Sequence, residues 1–582
     1  MYLGYLAQRT QLMVHVTFNH SLIPETISDD REEKVSQWLI SWWGDELPTL
    51  DGDEEAKVIH VVGVLHNLIC QDARLPLFDL PVVDAGGEKP GCWVPSLMGL
   101  DHRVHSMALQ FALSAIAQPT ESACHAVLAG AVQKVHKKAG NSILGLSDGS
   151  IPILAEAHAR GLHFYHQADD IVQVGQGANS RLIHVSASDA DSAAGMLLSE
   201  NKAMMAAVFK KAGIPSPDTI PTQSPDIAPV ALKRLQGPLI VKPERGARGQ
   251  GVVTGITSEA LLRRAISSAI QSSPAKIALI QRQMKGDCHR VLVLNGEVMW
   301  ASTRYPKSVV ADGSSTVAQL IETANDALRD MPARKRFRPF PADDLAVATV
   351  KKQGFAMDAV PPEGQRVLLR PVTSVADGGD AKTITETLHP ANAAICIEAA
   401  KICRLNTAGI DFFSEDPTVP WFENGGCILE VNYKPQVFNR LSDRITSDPH
   451  KRFVTQLISG AGHMPIHAFV GASLAKERAT QRHRELVAEG VNAWLYLDEG
   501  ISGPEGFVRP TKDENRLKDL HSLMHNPRVE ALCLQVGVWG AERILPITHV
   551  TTVETCNDED DPAPDSWAQV ADRLQFSSAP QA

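Results

Sequence analysis

Residues 240–252 (IVKPERGARGQGV) set Lys242 at the end of an apolar, strand-like run and follow it with Gly246, Gly249 and Gly251. Glycines at that spacing let backbone N–H groups approach phosphate oxygens without interference from Cβ, and the lysine adds a point charge. A glycine-rich hairpin with a solvated lysine has the same appearance, and no Gly-Lys-Ser/Thr ending completes the commoner phosphate-loop pattern. Far downstream, residues 408–413 (AGIDFF) and 427–432 (CILEVN) read as two short strands. Residues two apart on a strand share a face, so Glu430 and Asn432 point the same way while Asp411 enters from the neighbouring strand. Hard oxygen ligands of this kind suit Mg²⁺ held together with phosphates. The competing reading is a carboxylate pair on a wet sheet face. Glu430, however, lies between Leu429 and Val431, and burial there without a partner is costly.

Between the two signals, Arg290, Arg304 and Arg370 stand in apolar, strand-like contexts: HRVLV, ASTR and VLLR. A guanidinium beside a core demands an anion, and phosphate and carboxylate both match its donor fork. Any one of the three is compatible with a structural ion pair. Together, bracketed by a glycine loop and an oxygen triad, they favour a polyphosphate site.

The elements that must position these groups belong to a large α/β chain. At 582 residues it exceeds one core, and domains of roughly 100–200 residues imply about three or four of them. With 44% apolar and 21% charged residues the composition is that of an ordinary globular protein. The N-terminus lacks a basic segment followed by an apolar run, and no stretch of about 18 apolar residues occurs, so a cytoplasmic location without a membrane role is expected. Nine scattered cysteines without a C-x-x-C pair read as reduced, buried thiols. A net charge of −11 argues against a nucleic-acid carrier, although local basic clusters can still take a small anion. Residues 58–68 (VIHVVGVLHNL) read as a buried strand, 104–135 as two helices, and 202–213 as a helix closed by Gly213 and Pro215. The acidic, proline-containing segment from 556 to 582 reads as a disordered tail.

In order along the chain these stretches resemble the ATP-grasp domain of the cyanophycin synthetase family. The likeness runs through VQVGQGANSRLI (172–183), VKPERGARGQGV (241–252), RVLVLNGEV (290–298), VVADGSSTVAQLI (309–321), VPPEGQRVLLR (360–370), and TAGIDFF with ILEVN (407–432). The resemblance implies an α/β, multi-domain architecture: an N-terminal α/β domain (1–185), an ATP-grasp domain (186–460), a Rossmann-like, Mur-ligase-like remnant (461–555) and the tail (556–582). It also implies ATP-dependent joining of a carboxylate to an amine through an acyl phosphate, with Mg-ATP as cofactor and amino acids or peptides as substrates. Carried over residue by residue, Lys202 and Lys242 contact nucleotide phosphates, and the loop with Arg245, Gly246, Arg248, Gly249 and Gly251 closes over them. Asp411, Glu430 and Asn432 hold magnesium; Arg290, Arg304 and Arg370 stabilise the transferring phosphoryl group. Homo-oligomers occur among such ligases, and this chain has room for the same.

Two departures stand out. Gln281 and Arg282 replace a Glu-Glu pair at the adenine and ribose hinge, and Arg245, Ala247 and Arg248 replace acidic, amide or histidine positions of the glycine loop. The Mur-like region begins at Met464, but its phosphate loop has become GASLAKER (471–478), and Gln535-Val536-Gly537 stands where a magnesium glutamate is expected. That region reads as catalytically silent. A nucleotide-binding protein that has lost turnover is the alternative.

Overall fold

The computed structural model describes residues 2–4, 12–17, 37–38, 41, 54–84, 91–96, 100–140, 146–147, 149–245, 251–331, 339–370, 380–437, 449–458, 462–541, 545, 547, 549–556 and 564–576. The chain divides into two compact units, Ser186–Phe453 and a second made of Met1–Val185 together with Val454–Ala582. The segments expected as separate N- and C-terminal domains therefore fall in one unit. No described helix is long and apolar enough to cross a membrane.

The unit Ser186–Phe453 carries the chemistry-bearing stretches. Helix α1 (Lys202–Ala212) starts where the Asn201 side chain accepts from Met204 N–H and ends at Gly213, whose φ of 72° is the left-handed stop that favours glycine. Strands β1 (Thr219–Thr222), β2 (Leu239–Pro243) and β3 (Val253–Ile256) follow, with α2 (Ala228–Leu235) between the first two; α3 (Glu259–Ser272) and β4 (Ala278–Arg282) complete the lobe. They form an antiparallel sheet in the order β3-β2-β4-β1. One face of it, with Leu239, Val241, Ala278 and Ile280, packs on apolar residues of α2 and α3 such as Ala231, Leu262 and Ile266.

A second antiparallel sheet is built from β5 (Asp287–Leu294), β6 (Glu297–Tyr305), β7 (Asp380–Thr383), β8 (Thr407–Ser414) and β9 (Cys427–Asn432), in the order β7-β6-β5-β8-β9. Its core joins Val291, Ile410, Ile428 and Val431 to Met205 and Phe209 of α1 and to Cys396 and Ala399 of helix α4 (Pro390–Ile402). The outward spacing of Met205 and Phe209, one helical turn apart, is what seats α1 on this sheet. A two-stranded ribbon, Ser308–Val310 with Arg366–Leu368, packs with helices Val317–Arg329 and Asp344–Lys352 around a small core of its own.

In the other unit, residues 58–68 are not a strand. They lie within a helix, Glu54–Asp72, which packs against helices His102–Ile116 and Glu121–Gly140. Val58, Ile59, Val62, Leu65 and Ile69 are buried at helical spacing; burial on nearly every side removes the polar stripe that would have revealed the period, and tertiary packing overrides the β preference of valine. The two helices expected over 104–135 are present. The C-terminal part holds a parallel core of Ala493–Leu497, Ala531–Val536, Ile466–Val470 and Thr552–Thr555 in that order, edged by an antiparallel ribbon. Within the segment expected to be a disordered tail, Pro564–Phe576 is a helix that buries Trp567, Val570, Ala571 and Leu574. Its i, i+3, i+4, i+7 apolar spacing outweighs the acidic composition around it.

This unit also buries histidines against one another. Rings of His163 and His463 lie 6.2 Å apart, Tyr165 and His525 3.9 Å, and His521 and His525 5.9 Å. Burial, helped by the neighbouring histidines, pushes His163 down to about 3 and His463 and His521 to about 4; burial alone takes His525 to about 4. A histidine held neutral in the fold but free to protonate when unfolded stabilises the fold fully above its ordinary value and less as pH falls toward the lowered one. Each group therefore removes about 1.4 kcal/mol of stability per pH unit below about 6.5, until its own lowered value is reached. Denaturant titration of the full chain at pH 7 and pH 5 should show the unit containing these rings losing midpoint at the lower pH. Equal midpoints at the two pH values would contradict the assignment.

Candidate functional site

Strand register builds the site. Arg290 on β5 stands opposite Asp411 on β8, and Asp411 stands opposite Glu430 on β9. One row across three neighbouring strands thus reads cation, anion, anion. Asn432 sits opposite Gly409, and its amide donates to Gly409 O at 3.1 Å and to Asp411 Oδ2 at 3.3 Å. Arg290 Nε lies 3.0 Å from Asp411 Oδ1. Gly409 is obligatory here, because a Cβ would collide with the Arg290 guanidinium and with Pro435. At the row's end, Lys202 Nζ is 3.1 Å from Glu430 Oε1. Lys202 opens α1, where the positive end of the helix dipole disfavours a cation; the Glu430 carboxylate offsets that.

Two further cations share this neighbourhood, and neither is bonded among the described residues. Lys242 ends β2 half-buried; its surroundings push it below the ordinary lysine value through burial, against the pull of Glu430 and with the repulsion of Lys202. Arg304, on β6, is two residues beyond Ser302, which stands opposite Arg290, so both guanidiniums share a face. Burial, with help from Arg290, lowers Arg304 to about 10. Among the described residues, Lys202, Lys242, Arg290 and Arg304 are opposed in this cluster by Asp411 and Glu430, and a half-buried surplus of positive charge is a receptor for a polyanion.

The other expected residues fall elsewhere. Arg370 lies just past the strand Arg366–Leu368, and its guanidinium grips Asp343 through two bonds of 2.9 and 2.7 Å. Arg370 thereby holds the Asp343 carboxyl below its usual range, and Asp343 in turn caps the helix Asp344–Lys352. Arg245 is exposed, its Nε 3.6 Å from Glu244 Oε2. Gly246, Arg248 and Gly249 lie outside the described residues. Gly251, at φ 71°, has no room for a Cβ, which would come within 2.7 Å of Ser272 Oγ. Gln281 shares the face of Lys242, since Lys242 pairs with Leu279 and residues two apart align; its amide donates to Thr219 Oγ1 at 2.6 Å. Arg282, the next residue, points to the opposite face.

Sequence reasoning passed over Glu244, whose two carboxylate oxygens are buried without a hydrogen bond, and it gave no role to Gly409. An acid directly after Lys-Pro was the available signal for the first; the second had none beyond a glycine inside an apolar strand.

The oxygen set fits magnesium by chemistry: two carboxylates and an amide, with Asp411 Oδ1 buried and held by the Arg290 ion pair without a well-aligned hydrogen bond. Among the described residues no group of three or more His, Cys, Asp or Glu forms a metal cluster, so Asn432 and phosphate oxygens would have to complete the sphere.

An antiparallel four-stranded sheet backed by two helices, followed by a five-stranded sheet that carries its acids on β8 and on the edge strand β9, defines the ATP-grasp class. The chain is cyanophycin synthetase-like within that class. Over 298 residues it is 34% identical to the cyanophycin synthetase of Geminocystis herdmanii (strain PCC 6308), a stretch covering 51% of this chain and 34% of that one. Over 398 residues it is 30% identical to the cyanophycin synthetase of Nostoc sp. (strain PCC 7120 / SAG 25.82 / UTEX 2576), covering 67% of this chain and 44% of the relative. The chain thus spans less than half the length of these curated relatives. No family model matches it. Among solved structures, a bifunctional glutathione synthetase from Pasteurella multocida overlaps 57% of this chain and 49% of its own, with a TM-score of 0.41 and 19% identity, too slight a likeness to bear on the fold.

Arg290 and Asp411 are both mostly buried, and removing one partner of such a pair strands the other. Asp411→Ala should lower the stability of the unit by about 3 kcal/mol, whereas Arg290→Ala with Asp411→Ala should lose less than the sum of the two single changes. Additive losses in denaturant titrations would show the pair to be uncoupled.

Proposed function

We propose that the chain is an ATP-dependent carboxylate–amine ligase acting on amino acids or peptides. The observation that carries this reading is the pair of half-buried, unbonded cations, Lys242 and Arg304, beside carboxylates already matched to Lys202 and Arg290. Binding Mg-ATP would supply the phosphoryl group that activates a carboxylate as an acyl phosphate. The protein's own groups do the positioning. Lys202 and Lys242 hold phosphate oxygens, while Asp411, Glu430 and Asn432 present oxygens to magnesium. Arg290 and Arg304 steady the charge that builds up on the transferring group, fixed before the reaction by β5 and β6. Each ion pair of the site offers a group to the nucleotide complex: the cation to phosphate, the carboxylate to the metal. The amine then displaces phosphate from the acyl carbon, which needs no side-chain nucleophile.

Arg370, spent on Asp343, has a structural task in this reading, and the unit of Met1–Val185 with Val454–Ala582 contributes no second ligation. Gly471 supports that last point, since a Cβ there would strike Cys556 O, and Gln535 Nε2 donates to Ala472 O at 3.0 Å. The chain's own atoms fill the place where a phosphate loop would open.

A nucleotide-binding protein without turnover is the second reading, favoured by Gln281, which is already bonded to Thr219. ADP release measured with magnesium against a panel of amino acids and short peptides, with mass spectrometry of products, separates the two. The ligase predicts a new amide mass and a loss of turnover of about a hundredfold or more in Glu430→Ala, consistent with removing one preorganised charge from a phosphoryl-transfer site. ATP binding without stimulated ADP release would favour the second reading.

A further inference from the structure

A cavity of about 660 Å³ opens where the lobe of β1–β4 meets the hairpin of β8 and β9. That is the size of a site for a small organic ligand. Pro215 O accepts from Ile428 N–H at 2.7 Å and clamps the two lobes together at its floor. The outer wall is aromatic: Trp421 and Phe422 meet edge to face with centroids 5.5 Å apart, and Phe422 is 63% exposed. Together with the half-buried Trp421, Pro217 and Met284, Phe422 gives the cavity an apolar side against which a ligand's apolar groups can pack.

The polar lining has one sign to spare. Arg234, in the last turn of α2, and Arg282, at the end of β4, both line the cavity. Among the described residues neither guanidinium has an ion pair or side-chain hydrogen bond. The carboxylate in the lining, Asp218, is paired with Lys210 at 3.3 Å. In a chain of net charge −11, two unmatched guanidiniums facing one cavity are a local exception. The cavity is also distinct from the cation cluster: Arg282 lies on the face of β4 opposite Gln281, Leu279 and Lys242.

We propose that this cavity is a second recognition site, one that takes an acidic peptide. Side-chain carboxylates two residues apart on an extended peptide are about 6–7 Å apart, enough to give each guanidinium its own carboxylate in bidentate form, while the peptide's apolar groups lie over Trp421 and Phe422. A nucleoside triphosphate is the poorer fit, because its phosphates are matched by the cluster on the other face. The choice of a peptide rests on the ligase reading, in which peptides are substrates. Such a peptide would be held at the seam of the two lobes, away from the reacting atoms.

Fluorescence anisotropy of a fluorescein-labelled Asp-Phe-Asp-Asp peptide with the full chain tests this. Wild type should bind. Arg234→Glu should weaken binding about tenfold or more, equivalent to about 1.4 kcal/mol, and Phe422→Ala by a few-fold. Both positions are exposed, and unchanged thermal melting would show the variants folded. Saturating Mg-ATP should leave the probe bound. Absence of binding to wild type, displacement of the probe by Mg-ATP, or binding insensitive to Arg234→Glu in folded protein would each overturn the proposal. Citrate displacing the probe as effectively as unlabelled peptide would overturn the peptide class. The ligase reading fails on a different measurement, ADP release, so peptide binding without turnover would sink that reading and leave this site standing.

Discussion

An imbalance of charge inside a half-buried cluster governs the architecture of the Ser186–Phe453 unit. Four cations and two carboxylates converge from α1, β2, β5, β6, β8 and β9. The carboxylates are paired locally with Lys202 and Arg290, which leaves Lys242 and Arg304 without a salt bridge among the described residues. Such charge is expensive to hold beside apolar strands, and the surrounding structure is arranged to hold it. α1 is seated through Met205 and Phe209 so that Lys202 reaches Glu430. The β8–β9 register keeps Asp411 against Glu430, and Gly409 leaves the gap in which the Arg290 side chain lies. A sheet with the same topology but a one-residue slip would turn the row of charges into the core.

How much of this was legible in the sequence follows from the range of the forces involved. Asp411, Glu430 and Asn432 could be placed on adjacent strands because strand periodicity is local and the flanking apolar residues mark the buried face. The place of Lys242 near the end of an apolar strand is readable for the same reason. Lys202 was not: nothing near it in sequence reports on Glu430, and its role came from family resemblance alone. Arg370 looked like Arg290 and Arg304 in its apolar setting, and only the fold reveals that Asp343 claims its guanidinium. Gln281 and Arg282 were read as one pair, yet strand alternation sends them to opposite faces, a distinction available from sequence once the strand boundaries are known. The helix Glu54–Asp72 escaped because a helix packed on most sides carries no polar stripe, and valine-rich runs of that length fit either period. The helix Pro564–Phe576 escaped because acidic composition was weighed above the spacing of four apolar residues.

The unit of Met1–Val185 with Val454–Ala582 shows a different economy. In its parallel core, the junction after the strand Ile466–Val470 is tied down by its own side chains. Lys476 pairs with Glu499 at 2.5 Å and Arg478 with Glu554 at 3.4 Å, so the basic side chains that follow Gly471 are matched within the fold. Gln535 bonds the backbone on both sides, accepting from Asp498 N–H at 3.2 Å while donating to Ala472.

Gly471 couples two segments of this unit. Its φ of 142° and the carbonyl of Cys556 packed where a side chain would begin tie the loop to the strand Thr552–Thr555, so the two segments are locked as a pair. A side chain at position 471 would therefore have to displace the Cys556 carbonyl, so this loop and the end of that strand can change only together.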